Sequence, residues 1–240
     1  MNRRFAIIVL PLMLALTAAT APKSVPKRVL PPAPLPDVVR VALVTEAGTI
    51  EIDLDHKHAP LTVENFVHYV DTRRLDGTAF YRVMRLKWGE QPNGLIQGGL
   101  SGDPQKVFKP VAHEPTSTTG ILHTPGAISM ARWAPGTAMA DFSILLSAMP
   151  GLDADPASSD PDRQAGFAAF GHVSSGMDVV RKIYDAPLSL TKGQGVMKGQ
   201  MLDPTVRILT VRRVTIPAPA PVLAPVPAPA PVAEPTPATP

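Results

Sequence analysis

The sequence predicts a mainly β domain of the α+β class, a closed antiparallel β-barrel capped by two α-helices. Three observations carry that expectation. Between residues 38 and 216 apolar residues alternate with polar ones in several short runs, the two-residue period of half-buried strands. Two stretches change to a helical period, and they stand near opposite ends of that region. Proline, 29 residues in all, is concentrated at the two ends of the chain, so the middle is left to fold as one unit. Closing such a set of strands on itself removes the exposed sheet edges.

The elements follow in order. VRVALVT (39–45) and TIEIDL (49–54) alternate, with Ile50, Ile52 and Leu54 on one face, and Glu46-Ala47-Gly48 joins them as a hairpin. In LTVENFVHYVDTRR (61–74) the apolar residues Val63, Phe66, Val67 and Val70 fall at i, i+3, i+4 and i+7, a helix with one buried stripe. Pro60 suits its first turn. Asp76-Gly77 is a turn before the strand TAFYRV. Short apolar runs follow at 127–132, 141–146 and 167–173, then a second helix at 176–185 with Met177, Val180 and Tyr184 on one side. VRILTVRRVTI (206–216) alternates again as a last strand.

The flanks read differently. MNRR, then FAIIVLPLMLAL, then TAATA is the basic, apolar and small-residue order of a secretory signal peptide. Pro22 disfavours a cut after Ala21, which places cleavage near Ala19 and gives a signal peptide at 1–19. The expected location is periplasmic or secreted, without membrane attachment once the signal is removed; the alternative is an uncleaved N-terminal anchor. Residues 20–36 form a proline-rich linker, 37–216 the folded domain, and 217–240 a Pro/Ala-rich tail with ten prolines and one charge, Glu234. Such a tail has too little apolar surface to build a core.

Composition excludes several chemistries. With no cysteine, disulfides, thiol catalysis and cysteine-based metal sites are out. Loss of Arg3 and Arg4 with the signal takes the formal charge from +3 to +1 (3 − 2), and no basic stripe interleaved with aromatics remains for nucleic acid. No G-x-S-x-G nucleophile elbow is present. Gly193, Gly195 and Gly199 are one residue too widely spaced for a dinucleotide fingerprint and read as a loop. Asp153, Asp155, Asp160 and Asp162 lack calcium-loop spacing, and His56 and His58 read as surface residues. No metal site is expected.

What remains is an arginine, Arg82, in an apolar and aromatic strand, followed by GLIQGG. In order, TIEIDLDHKHAPLTVENFVHYV, GTAFYRVM, LIQGG, HEP, HTPGAISMAR, DFSI, GLD and FAAFGHVSSGMDVVRKI resemble a cyclophilin-type peptidyl-prolyl cis-trans isomerase of exported bacterial form. The resemblance spans about residues 38–216. It implies an eight-stranded antiparallel barrel with two capping helices, rotation about Xaa–Pro bonds, proline-containing polypeptides as partners and no cofactor.

By that resemblance Arg82 stands for the family's catalytic arginine and Gln97 for the glutamine that bonds peptide and arginine. Leu95, Ala131, Leu152 and Phe167 stand for substrate-binding positions, Leu95 packing on the proline and Ala131 offering a backbone edge. Phe142 is expected in the core. Residue types fit the chemistry: no proton is transferred, so a permanent cation suits better than a titratable group. The chain departs from the family pattern at Gly94, Ser143 and Gly151, where aromatic residues are usual, and at Phe167, which keeps the ring but not a polar end. Trp88 or Trp133 is expected to rebuild the missing wall. Two rival functions follow: a prolyl-peptide binding module or chaperone with little turnover, and an envelope scaffold acting through the tail.

Overall fold

The computed structural model describes residues 34–216. The expected signal peptide, most of the expected linker and the Pro/Ala-rich segment 217–240 lie outside the described residues. Eight antiparallel strands close into a barrel in the spatial order β1 (Val38–Thr45), β2 (Gly48–Asp55), β7 (Ala169–Ser175), β5 (Ala127–Met130), β6 (Phe142–Leu145), β4 (Gly94–Gly99), β3 (Ala79–Arg85) and β8 (Met201–Arg213), with β8 returning to β1.

Strands β1 (Val38–Thr45) and β2 (Gly48–Asp55) form the expected hairpin. Thr45 pairs with Gly48, so the turn itself is Glu46-Ala47. Their inward residues, among them Val41, Leu43, Ile50, Ile52 and Leu54, are wholly buried. Helix α1 (Pro60–Asp71) buries the predicted stripe and adds Thr62 and Tyr69 to it. Its first turn is capped from afar: the Glu114 carboxylate accepts the Thr62 N–H at 2.7 Å and the Thr62 hydroxyl at 2.6 Å, satisfying donors that a helix start leaves orphaned. That gives the HEP motif a structural role. The helix stops at Asp71 rather than Arg74 because Thr72 caps it and Arg73 turns to a positive φ of 57°.

Strand β3 (Ala79–Arg85) and strand β4 (Gly94–Gly99) come next, followed by the one-turn helix α2 (Thr116–Thr119). Strands β5 (Ala127–Met130) and β6 (Phe142–Leu145), the short helix α3 (Pro161–Ala165), strand β7 (Ala169–Ser175) and helix α4 (Met177–Tyr184) complete the run to β8 (Met201–Arg213). α2, α3 and two 3₁₀ turns were not anticipated from sequence; each spans five residues or fewer, too short for a periodic signal. β8 begins five residues before the alternating stretch that announces it.

Phe66 of α1 packs edge-on against Phe142, with centroids 5.4 Å apart, and Phe142 packs against Phe80 at 5.8 Å. Both pairs meet in the favoured T-shaped geometry and tie α1 to β6 and β3 through the core. Phe142 is core, as expected. α4 lies on β2 and β4, burying Val179, Val180, Ile183 and Tyr184.

Candidate active site

The arginine strand is not a regular one. Strict alternation would put Phe80 and Arg82 on the same face, and Phe80 is fully buried in the core. Instead the register with β4 slips: Phe80 faces Gly98, Arg82 faces Gln97, and Tyr81 is the extra residue of a bulge. A bulge re-aims the side chains that follow it. Val83 takes the inward place and is wholly buried, while Arg82 turns to the outer face and is half-buried. Gly98 makes room, since a Cβ there would stand 2.8 Å from the Phe80 ring.

β8 opposes the same bulge with a larger one. Phe80 pairs with Val206 but Arg82 with Met201, so residues 202–205 stand opposite Tyr81 alone. This excursion brings Gln200 beside the arginine, and the Val83 N–H anchors it by donating to the Gln200 carbonyl at 2.8 Å. Arg82 Nε then donates to Gln200 Oε1 at 2.9 Å, and its Nη1 to Gln97 Oε1 at 2.7 Å. Gln97 Nε2 donates in turn to the Tyr81 hydroxyl at 2.9 Å. Gln200 Nε2 donates to the Val196 carbonyl at 2.8 Å.

Both partners of Arg82 are neutral amides, and no carboxylate pairs with it among the described residues. Burial lowers the Arg82 pKa from its ordinary value, yet a guanidinium stays charged at neutral pH. Burial, followed by the Asp141 carboxylate, pushes the Tyr81 phenol up, so Tyr81 keeps its proton and can both donate and accept. The result is a fixed, uncompensated positive charge on the outer face of the barrel. A preorganised donor of this kind can bind a carbonyl oxygen or a developing lone pair.

The row continues across the sheet. Gln97 faces Ser143 on β6, and Ser143 faces Ser129 on β5. Leu95 shares the face of Gln97, lies outside the barrel core, and sits between Met84 and Leu145; it is only 6% exposed. Ala131 follows β5. Its N–H donates to the Asp141 carbonyl at 2.9 Å, while its own carbonyl and the Arg132 N–H have no backbone partner among the described residues. That is an open strand edge of the sort an extended peptide can extend.

Phe167 and Leu152 are joined through their backbones, the Phe167 N–H donating to the Leu152 carbonyl at 2.8 Å. Arg132 ties them to β5. Its guanidinium stacks on the Phe167 ring at 4.4 Å, and its Nη2 donates to the Gly166 carbonyl at 2.7 Å. The structure therefore brings Arg82, Gln97 and Leu95 together on β3 and β4, and Ala131, Leu152 and Phe167 together beyond β5. Trp88 and Trp133 pack on neither group and stand 69% and 82% exposed.

Four participants were not anticipated from sequence. Tyr81 is the bulge residue, and Asp141 anchors the loop after β4 by accepting the Ser101 N–H at 2.7 Å. Gln200 lies 118 residues from Arg82, with no local pattern to announce it. His123 is buried, its Nδ1 held by Asp153 at 2.7 Å and its Nε2 by Ser129 Oγ at 2.8 Å. It pins the turn that carries Leu152 onto β5. The acidic run is thereby accounted for residue by residue: Asp153 holds His123, Asp155 accepts the Ala157 N–H, Asp160 caps α3 and Asp162 bonds Arg132. Among the described residues no three His, Asp or Glu side chains group as metal ligands.

A sequence model of the cyclophilin-type peptidyl-prolyl cis-trans isomerases matches residues 40–213. A peptidyl-prolyl cis-trans isomerase of Acinetobacter baylyi is 35% identical over 62% of this chain and 73% of its own length. Peptidyl-prolyl cis-trans isomerase A of Dickeya dadantii is 38% identical over 60% of this chain and 70% of its own. In fold, a Cryptosporidium parvum cyclophilin crystal structure superposes with a TM-score of 0.56 over 75% of this chain and 99% of that one, at 17% identity. With its barrel closed in eight strands and its family model matched across nearly the whole described region, the chain belongs to the cyclophilin-type peptidyl-prolyl cis-trans isomerases.

Proposed function

We propose that this isomerase turns Xaa–Pro bonds by holding the proline ring against an apolar wall while Arg82 stabilises the twisted amide. The observation that carries the reading is the Arg82 clamp: a half-buried guanidinium held by two neutral amides and answered by no carboxylate among the described residues. The barrier to rotation is amide resonance, roughly 18–20 kcal/mol. Twisting breaks conjugation and leaves a lone pair on the proline nitrogen, which a fixed cation binds better than it binds the planar ground state. Gln97 orients the guanidinium and offers its remaining polar capacity to the peptide. Leu95, Leu152 and Phe167 form the wall, and Ala131 with Arg132 presents the edge along which the peptide runs. The chemistry needs no cofactor.

The substrates are proline-containing polypeptides of the cell envelope or secreted proteins, a reading supported by the signal-like order of residues 1–19. A second reading is a prolyl-peptide binder with slow turnover. It is favoured by Ser143 and Gly151, which carry no ring at positions beside Gln97 and Leu152.

Exchange of a prolyl peptide by the chain lacking residues 1–19, compared with Arg82→Ala, tests both. Loss of one preorganised donor costs about 10²–10³ in rate, and a drop of that size with unchanged melting temperature supports the isomerase mechanism. Peptide binding without exchange in the unaltered chain supports the binder. Full exchange by Arg82→Ala would remove the arginine from the mechanism.

A further inference from the structure

The structure assigns a positioning role to Gln200, on a loop that no family motif in this sequence marks. We infer that Gln200 and Gln97 act as a two-amide clamp that fixes the Arg82 guanidinium without neutralising it, and that the 192–200 loop sets the clamp's geometry. The inference rests on the proposed role of Arg82.

The geometry is specific at three points. First, Gln200 is placed by its backbone, through the Val83 N–H one residue past Arg82. Second, its amide cannot flip without loss, because Nε2 is committed to the Val196 carbonyl and only Oε1 faces Arg82. Third, the loop holds itself in shape: Gly199 N–H donates to the Lys192 carbonyl and Gln200 N–H to the Met197 carbonyl, both at 3.0 Å. Gly193, at φ +95°, leaves room for the Met197 carbonyl, which a Cβ would meet at 2.3 Å.

Two hydrogen bonds to separate nitrogens restrain the guanidinium plane; one leaves it free to swivel about the remaining bond. Neutral acceptors matter as much as their number. A carboxylate in the same place would hold the arginine at least as firmly, but it would cancel the charge that the twisted amide needs.

That difference separates positioning with charge preserved from mere structural support. The experiment measures exchange of a prolyl peptide, as rate at saturation and as KM, for the unaltered chain, Gln200→Glu, Gln200→Leu, Arg82→Ala and the double variant Arg82→Ala/Gln200→Leu, with melting temperatures for each. Loss of a hydrogen bond to a charged group predicts about a tenfold or larger fall in the saturated rate for Gln200→Leu, with KM within about twofold. Gln200→Glu, nearly isosteric and still an acceptor toward Arg82, loses the donation to the Val196 carbonyl that Gln200→Leu loses as well, and is expected to fall further than Gln200→Leu, by about 100-fold, through charge cancellation. In the Arg82→Ala background Gln200→Leu is expected to change nothing more, since coupled residues are not additive.

Activity of Gln200→Glu equal to that of the unaltered chain would overturn the inference. So would an equal loss from Gln200→Leu with and without Arg82, which would mark a generic structural effect. If Arg82→Ala alone leaves exchange intact, the failure lies instead with the arginine mechanism, and the two failures are thereby distinct.

Discussion

Residues 94 and 151, where the resemblance leads one to expect aromatic side chains, are both glycine, for different reasons. Gly94 has a φ of +139°, and a Cβ built on it would stand 1.9 Å from the Met84 carbonyl oxygen across the β3–β4 pair. The backbone itself occupies the space, and no side chain can be restored without opening the sheet. Gly151 sits in a 3₁₀ turn next to Leu152, with nothing within 4 Å of the place a Cβ would take. Gly151→Trp is therefore expected to leave the melting temperature unchanged and to tighten prolyl-peptide binding by up to about tenfold, the worth of one aromatic contact. Gly94→Phe is expected to yield little folded protein. Titration of peptide into both variants, with circular dichroism of each, checks the pair; unchanged affinity in Gly151→Trp would place that turn outside the groove. Arg82 shows the limit of reading residues singly. Its odd place in the strand was visible in sequence, but the bulge at Tyr81 that turns it outward was not, because the extra residue is defined only by pairing with Gly98 and Gln97.

Among the elements, those with a clean period were legible and those built on close approach were not. α1 and the β1–β2 hairpin follow from apolar spacing alone. β4 carries glycine at 94, 98 and 99, chosen for room around Met84, Phe80 and Asp141, and glycine weakens the strand signal. The start of β8 is hidden because Asp203-Pro204 interrupts the alternation while the strand bulges around Tyr81. Contacts between elements far apart in sequence were equally silent, and His123 is the one with a measurable consequence. Burial lowers its pKa from the ordinary 6.5, outweighing the nearby Asp153 carboxylate, and burial does the same to His172, which bonds Thr124. Below about pH 6.5 the unfolded chain binds protons that these buried rings resist. Stability is thus complete above that pH and falls as pH drops from there toward the folded-state values. Asp141, raised by burial from 3.8, acts in the opposite sense: its contribution weakens as pH rises from the ordinary carboxylate range. The expected outcome is a melting temperature that declines between about pH 7.5 and about pH 5.5, the interval spanning the ordinary histidine pKa, with a shallower decline in His123→Gln. A decline in His123→Gln as steep as that of the unaltered chain would show that the His123 ring is not held neutral.

At the scale of the whole molecule, closure is what makes the barrel one cooperative object, and closure depends on the second half of β8. Met201, Val206 and Arg207 pair with β3, whereas Ile208 and residues 210–213 pair with β1, so the last six residues of the strand join the two ends of the sheet. Ile208 and Val211 are buried within that stretch. Removing them forfeits roughly 1.5–3 kcal/mol for each side chain and the ladder bonds to Leu43 and Val44, at about 0.5–1.5 kcal/mol apiece. It also leaves β1 as an open edge prone to pairing with another chain. That sum is comparable with the roughly 5–15 kcal/mol by which domains are stable. A chain ending at Arg207 is accordingly expected to aggregate. A chain ending at Ile216 keeps every ladder pair of β8 and every residue of the Arg82 clamp, so it is expected to melt at the same temperature and to exchange prolyl peptides at the same rate as the chain with residues 217–240. Differential scanning calorimetry and the exchange assay on both truncations separate the barrel's contribution from the tail's. A loss of exchange on removing only 217–240, with the melting temperature unmoved, would make the ten prolines of that segment part of the working site and favour the scaffold reading over a self-sufficient isomerase domain.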